Sequence, residues 1–127
     1  MIDALFNQTY YTAAKKMLDA TVLRHEAIAS NLANLETPNY KRLDVAQSFS
    51  TQLKQAMGSD DSAQISALHP KLEVDPTAVA QSRDGNTVQL ESELANLQQN
   101  TVAHAVETQM ITSQMVRLRL AITGKPS

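Results

Sequence analysis

Three histidines, His25, His69 and His104, and the acids Glu26 and Glu107 beside two of them are the side chains here with the most capacity for chemistry. On paired helices His25 and His104 would stand at one level, and two imidazoles backed by carboxylates make a ligand set for a divalent metal. Bundle metal sites favour Glu-x-x-His, in which one helical turn presents both ligands on one face. Here the order is reversed, His104-x-x-Glu107, and no second such pair occurs. His25-Glu26 is followed by Ala29 where the zinc-protease spacing needs a second histidine. The other reading of these residues is a polar layer that sets helix register. His69 precedes Pro70 in loop-like sequence and reads as surface. There is no cysteine nucleophile, the three glycines form no phosphate-binding loop, and the serines lack a base with an orienting acid. No catalytic, cofactor-binding or metal residue is expected, and the chain does not read as an enzyme.

The elements that would carry these histidines are long helices. Tyr11, Ala14, Leu18, Thr21, His25, Ile28, Leu32 and Leu35 alternate steps of three and four, a heptad seam on one helix over 5–35, with Asp3 placed to cap its start. A second seam runs through Leu90, Leu94, Leu97, Thr101, His104, Thr108, Ile111, Met115, Leu118 and Ile122, with Gly124 and Pro126 as its stop. Glu91 and Glu93 suit the start of that helix, and Arg117 and Arg119 its end. Pairing positions whose numbers sum to 129 sets His25 against His104 and Thr21 against Thr108. The expected fold is mainly α: two long antiparallel terminal helices forming a coiled-coil hairpin, with a short helix and an irregular middle segment.

Between the seams the chain turns in residues 31–42, NLANLETPNYKR. Pro38 lacks an amide proton and pushes Thr37 out of the helical region, so the helix should stop near Leu35. Thr37-Pro38-Asn39-Tyr40 fits a type II turn, with Asn39 in the position that needs positive φ. Asn31 and Asn34, one helical turn apart, could tie the helix end to that turn. Beyond it, residues 43–57 predict a short amphipathic helix with Val45, Phe49, Leu53 and Met57 on one side and Gly58 as its cap. Residues 58–87 read as loop, with extended pieces at 72–74 and 79–81. The divisions are 1–42 (helix and turn), 43–89 (short helix and loop-rich outer segment) and 90–127 (second helix), within one structural domain.

Composition sets further bounds. Two Phe, three Tyr and no Trp leave the core to Leu, Ile, Met and Ala. A net charge of −2 with mixed signs gives no case for nucleic acid. No run has the apolar length of a membrane span, and residues 1–20 lack the core of a cleavable signal, which by default places the chain in the cytoplasm. Zero cysteines fits a reducing compartment or a protein exported unfolded. The outer helix faces carry Ala13, Met17, Val22, Ala29, Ala33, Val102, Val106, Met110 and Val116, a surface suited to neighbours of its own kind or to cover by residues 43–57.

Asn31, Leu32, Ala33, Asn34, Thr37, Pro38, Tyr40 and Lys41 resemble the turn signature of bacterial flagellar rod and hook proteins, with Asn39 where that family has glycine. Asp84-Gly85-Asn86-Thr87-Val88, then Leu90, Glu93 and Leu94, resembles the start of the C-terminal helix in the family's proximal rod members; Gln89 stands where an acid is usual. The resemblance covers both ends and not the middle. It implies a structural subunit of the flagellar basal body rod, assembled with copies of itself and other rod proteins into a helical tube across the periplasm that transmits torque. It further implies contact with the membrane-ring junction, export by the flagellar type III apparatus without a cleaved signal, and no membrane span of its own. Terminal helices near 5–35 and 90–122 would pack the inner tube, while the heptad spacing assigns Leu18, Ile28, Leu32, Leu35, Leu94, Leu97, Ile111, Met115 and Leu118 to the seam between them. The rival from another class is a cytoplasmic helical adaptor or chaperone that binds a client helix.

Overall fold

The computed structural model describes residues 8–124, so the expected cap Asp3 and stop residue Pro126 lie outside the described residues. Helix α1 spans Gln8–Ala33, a stretch without proline or glycine. It ends two residues before Leu35, where Asn34 N bonds both Ser30 O (3.1 Å) and Asn31 O (3.2 Å), the tightening usual in a last helical turn. Helix α4 spans Leu90–Thr123, 34 residues and about 50 Å, and stops at Gly124, left-handed at φ 66 with its amide on Leu120 O at 2.7 Å. The described residues are mainly helical, with these two long helices, two short ones and a small sheet.

The middle segment is more ordered than its composition suggests. Residues 43–45 open no helix: β1 (Leu43–Val45) pairs antiparallel with β2 (Leu72–Val74), Asp44 opposite Glu73. Both backbone groups of Leu43 are taken by the Asn31 side chain, Leu43 N donating to Oδ1 and O accepting from Nδ2, each at 2.9 Å. Those bonds hold the chain extended where its apolar spacing alone favours helix. Helix α2 (Gln47–Gly58) begins only after them and buries Phe49, Leu53 and Ala56, leaving Met57 exposed. Gly58 is the last helical residue and not the cap; the left-handed residue is Asp60, at φ 51. Asp61 then caps the short helix α3 (Ser62–Ser66) by accepting from Ala63 N and Gln64 N, and α3 contributes the fully buried Ile65. The extended piece at 72–74 is β2, whereas 79–81 forms no strand.

The apolar core lies on one flank of α1, where Ala13 and Ala20 with Met17 and Leu23 receive Val45, Phe49, Leu53, Ala56 and Ile65. Alanines seven apart leave room for α2 and α3 to approach closely. Of the expected α1 seam, Ala14, Thr21 and Ile28 are buried, Leu18, Leu32 and Leu35 half-buried, and His25 exposed.

The expected α4 seam needs a larger correction. Its buried residues are Glu93, Asn100 and Glu107, seven apart and each one position before a seam residue. One residue turns a helix by about 100°, so the apolar column is swung off the α1 side. Leu94 (47% exposed), Met115 (56%) and Leu118 (39%) lie outside, and only Leu97 and Ile111 are half-buried. The anticipated pairing of Thr21 with Thr108 is replaced by Thr21 with Glu107, whose Oε2 accepts from the threonine hydroxyl at 2.9 Å. Polar residues face inward because partners meet them there: Asn31 donates to Glu93, and Asn100 donates to Thr21 O at 2.8 Å.

Candidate functional site

The two stretches that carry the resemblance meet in space. Asn39, at φ 61, donates its amide to Asp84 O at 2.8 Å, and Tyr40 N closes the turn on Thr37 O at 3.3 Å. Pro38 and Asn39 thus occupy the positions of the turn expected for them. Gly85, at φ 76, sits against this turn; a Cβ there would lie 2.5 Å from Asn39 Oδ1. Thr87 N bonds Tyr40 O (3.0 Å), Arg42 N bonds Thr87 Oγ1 (2.8 Å) and Lys41 Nζ bonds Gly85 O (3.0 Å). Asn86, buried, reaches three carbonyls of the turn just past α1 with one amide: Asn34 O at 2.8 Å, Leu35 O at 3.1 Å and Thr37 O at 2.8 Å. Its own Oδ1 accepts from Val88 N at 2.8 Å, so one side chain holds the turn that follows α1 and shapes the entry to α4.

Asn31 and Asn34 divide the work at the helix end. Asn34 Nδ2 turns back to Ser30 O (2.8 Å) while its Oδ1 accepts from Thr37 Oγ1 (3.0 Å). Asn31, wholly buried, clamps Leu43, accepts from Tyr40 Oη at 3.2 Å and donates to Glu93 Oε2 at 3.2 Å. Tyr40 Oη is also 2.9 Å from Ser30 Oγ. These bonds join α1, the turn, β1 and α4 through one amide.

Below Asn31 lies a buried ionic cluster that sequence reading missed. Arg42 Nε bonds Glu93 Oε1, and Nη1 bonds Asp44 at 3.1 Å and Asp75 at 2.8 Å. Arg24 from α1 takes the other Asp44 oxygen at 3.0 Å. Glu93 is fully buried and both its oxygens are used. Burial works against the Arg42 charge, but the hydrogen bonds and charges of Glu93 and Asp44 outweigh it and hold the guanidinium protonated above its usual range. Burial likewise opposes ionisation of Asp44, and Arg24, the Val45 amide and Arg42 together hold its carboxyl below the usual carboxylate range. Asp75 is lowered in the same way, against burial, by Thr77 and Arg42. Further along, burial pushes the Glu107 carboxyl up, with Thr21 and His104 opposing. The signal in the sequence is the seven-residue spacing of Asn86, Glu93, Asn100 and Glu107, a polar column legible only once its partners are known.

This arrangement is a fastener with no reactive centre. Every titratable member of the Arg42 cluster is occupied by its neighbours, and among the described residues no group of three His, Cys, Asp or Glu could hold a metal ion. His25 and His104 line one groove beside Thr21 and Asn100 and are both exposed. Among the described residues no helix is long and apolar enough to cross a membrane.

No family model matches the chain. Individual proteins do. The flagellar basal body rod protein FlgB of Borrelia hermsii is 30% identical over 112 residues, covering 75% of this chain and 82% of the relative. FlgB of Cereibacter sphaeroides is also 30% identical, over 80% of this chain and 84% of its own length, and that of Aeromonas hydrophila is 29% identical over 80% and 83%. Matching over most of both lengths reaches the middle segment as well as the two motifs. With a fold that fastens helices together and relatives that are structural rod proteins and not enzymes, the chain belongs to the FlgB family of flagellar basal body rod proteins.

Proposed function

We propose that this chain is a structural subunit of the proximal rod, assembling with copies of itself and other rod proteins into a helical tube across the periplasm. In this reading α1 and α4 form an antiparallel coiled-coil hairpin that carries load along the tube. The Asn31–Tyr40 turn and the Arg42 cluster pass that load to the outer segment, and torque crosses from the membrane-ring junction to the axial structure beyond. The subunit leaves the cytoplasm through the flagellar type III export apparatus without a cleaved signal.

The observation that supports assembly is the α4 surface. Leu90, Leu94, Val102, Val106, Met115 and Val116 are all exposed, at 47% or more, on a helix whose inward face is polar. Such a surface is stable in water only at a cost that neighbouring subunits relieve. The test is complementation of a strain lacking this chain, read by motility and by cryo-EM of isolated basal bodies. Wild type should restore both, with density for this chain in the rod. Val102→Asp should abolish incorporation while the purified variant keeps its helical circular dichroism. A chain that stays in the cytoplasm of a motile cell would overturn the reading in favour of an adaptor.

A further inference from the structure

The exposed α4 column and the charges beside it are related by a two-fold operation. Seam positions whose numbers sum to 212 pair throughout: Leu90 with Ile122, Leu94 with Leu118, and Leu97 with Met115. Five of these, Leu90 (50%), Leu94 (47%), Met115 (56%), Leu118 (39%) and Ile122 (74%), are exposed large hydrophobic side chains. The flanking column away from α1 begins with Glu91 and ends with Arg119; both are exposed, and no described ion pair engages either. A second α4 laid antiparallel sets Glu91 against Arg119 of its copy at both ends of the contact. A parallel copy would set like charge against like. The same flanking column has Ala105 at its midpoint, a small residue where the two helices would cross their symmetry axis.

We infer that the free subunit pairs with a second copy of itself, α4 against α4 and antiparallel. The pairing does not depend on the rod reading, although its consequence does. An isologous contact closes on itself and leaves no site for a third copy, whereas a tube needs contacts that stay open. The pair therefore covers the α4 column in the free protein and must part before that column can serve in a tube.

The absence of cysteine makes the test clean. In sedimentation equilibrium the purified full chain should fit a monomer–dimer equilibrium with no larger species. Ala105→Cys should form one disulfide dimer on mild oxidation, because a residue near the axis meets its own copy. Glu91→Cys alone should stay monomeric under reducing-agent-free denaturing electrophoresis, and mixed with Arg119→Cys it should crosslink. Glu91→Arg should weaken dimerisation about tenfold, and the swap Glu91→Arg with Arg119→Glu should restore it. A monomer at the highest soluble concentration overturns the inference. So does a ladder of oligomers from Ala105→Cys, or stronger self-crosslinking of Glu91→Cys than of Ala105→Cys. Basal-body incorporation of the same variants is scored separately, so loss of the dimer and loss of the rod role are distinguishable.

Discussion

Glu93→Ala tests whether the buried ionic cluster fastens the fold. Glu93 is 0% exposed and spends one oxygen on Arg42 and the other on Asn31. Removing it strips a charge partner from a guanidinium whose side chain is 9% exposed, although Asp44 and Asp75 remain on Nη1. Breaking one side of a buried ion pair costs about 3 to 5 kcal/mol, and the two surviving carboxylates place the expected loss near the lower end, about 3 kcal/mol. Against a stability of about 5 to 15 kcal/mol that is a large fraction. Urea unfolding followed by circular dichroism at 222 nm reads it directly: the midpoint should fall while the slope stays unchanged. Glu91→Ala, exposed and two residues away, should move the midpoint by less than about 0.5 kcal/mol in equivalent stability. The joint change Arg42→Met with Glu93→Leu should recover only part of the loss, since it removes the stranded guanidinium but leaves the Asp75 carboxylate without its cation, while Asp44 keeps Arg24. If Glu93→Ala and Glu91→Ala unfold alike, the cluster does not hold the fold and the reasoning fails.

Gly85→Ala should destabilise by about 1 to 2 kcal/mol through its positive φ, with the exposed Asn39 amide turning aside from the new Cβ, so that adding Asn39→Gly recovers little; thermal melts of both variants check this. Asn86→Ala should cost about 1 to 3 kcal/mol by removing the amide that ties Asn34 O, Leu35 O and Thr37 O to the start of α4, and hydrogen exchange should report earlier opening of the turn at residues 34–40. Stability should also vary with pH on both sides. Asp44 and Asp75 ionise more readily folded than at the ordinary 3.8, so the unfolded chain binds more protons in acid and stability falls as pH drops below that value. Glu107 is raised above the ordinary 4.5, so its contribution falls as pH rises from there until the folded carboxyl has ionised. Urea midpoints of Asp44→Asn and Glu107→Gln across pH 3 to 8 should flatten the acid and the upper limb respectively; unchanged profiles would refute the assignments.

Both long helices were legible because their sequences lack proline and glycine and keep a three-four alternation. The turn was legible because Pro38 and Asn39 constrain backbone angles whatever surrounds them. What periodicity misjudged was direction. It assigns the inside to the apolar column, and on α4 that column lost to Glu93, Asn100 and Glu107, which are buried because Arg42, Asn31 and Thr21 meet them. Such partners come from residues up to 86 positions away, and no local window contains them. Leu43–Val45 was misassigned for the same reason: its strand depends on Asn31 and on β2, and not on its own propensity.

The bonds joining residues 40–42 to 85–87 also make the outer segment a closed cassette. Its two ends are stitched together at Tyr40–Thr87 and Arg42–Thr87, so the chain leaves the long helices and returns to them at nearly one point. Loops within it can lengthen at small entropic cost so long as Phe49, Leu53 and Ile65 still reach α1 and Asp44 and Asp75 still reach Arg42. Insertions placed away from those contacts would therefore leave the register of the two long helices unchanged.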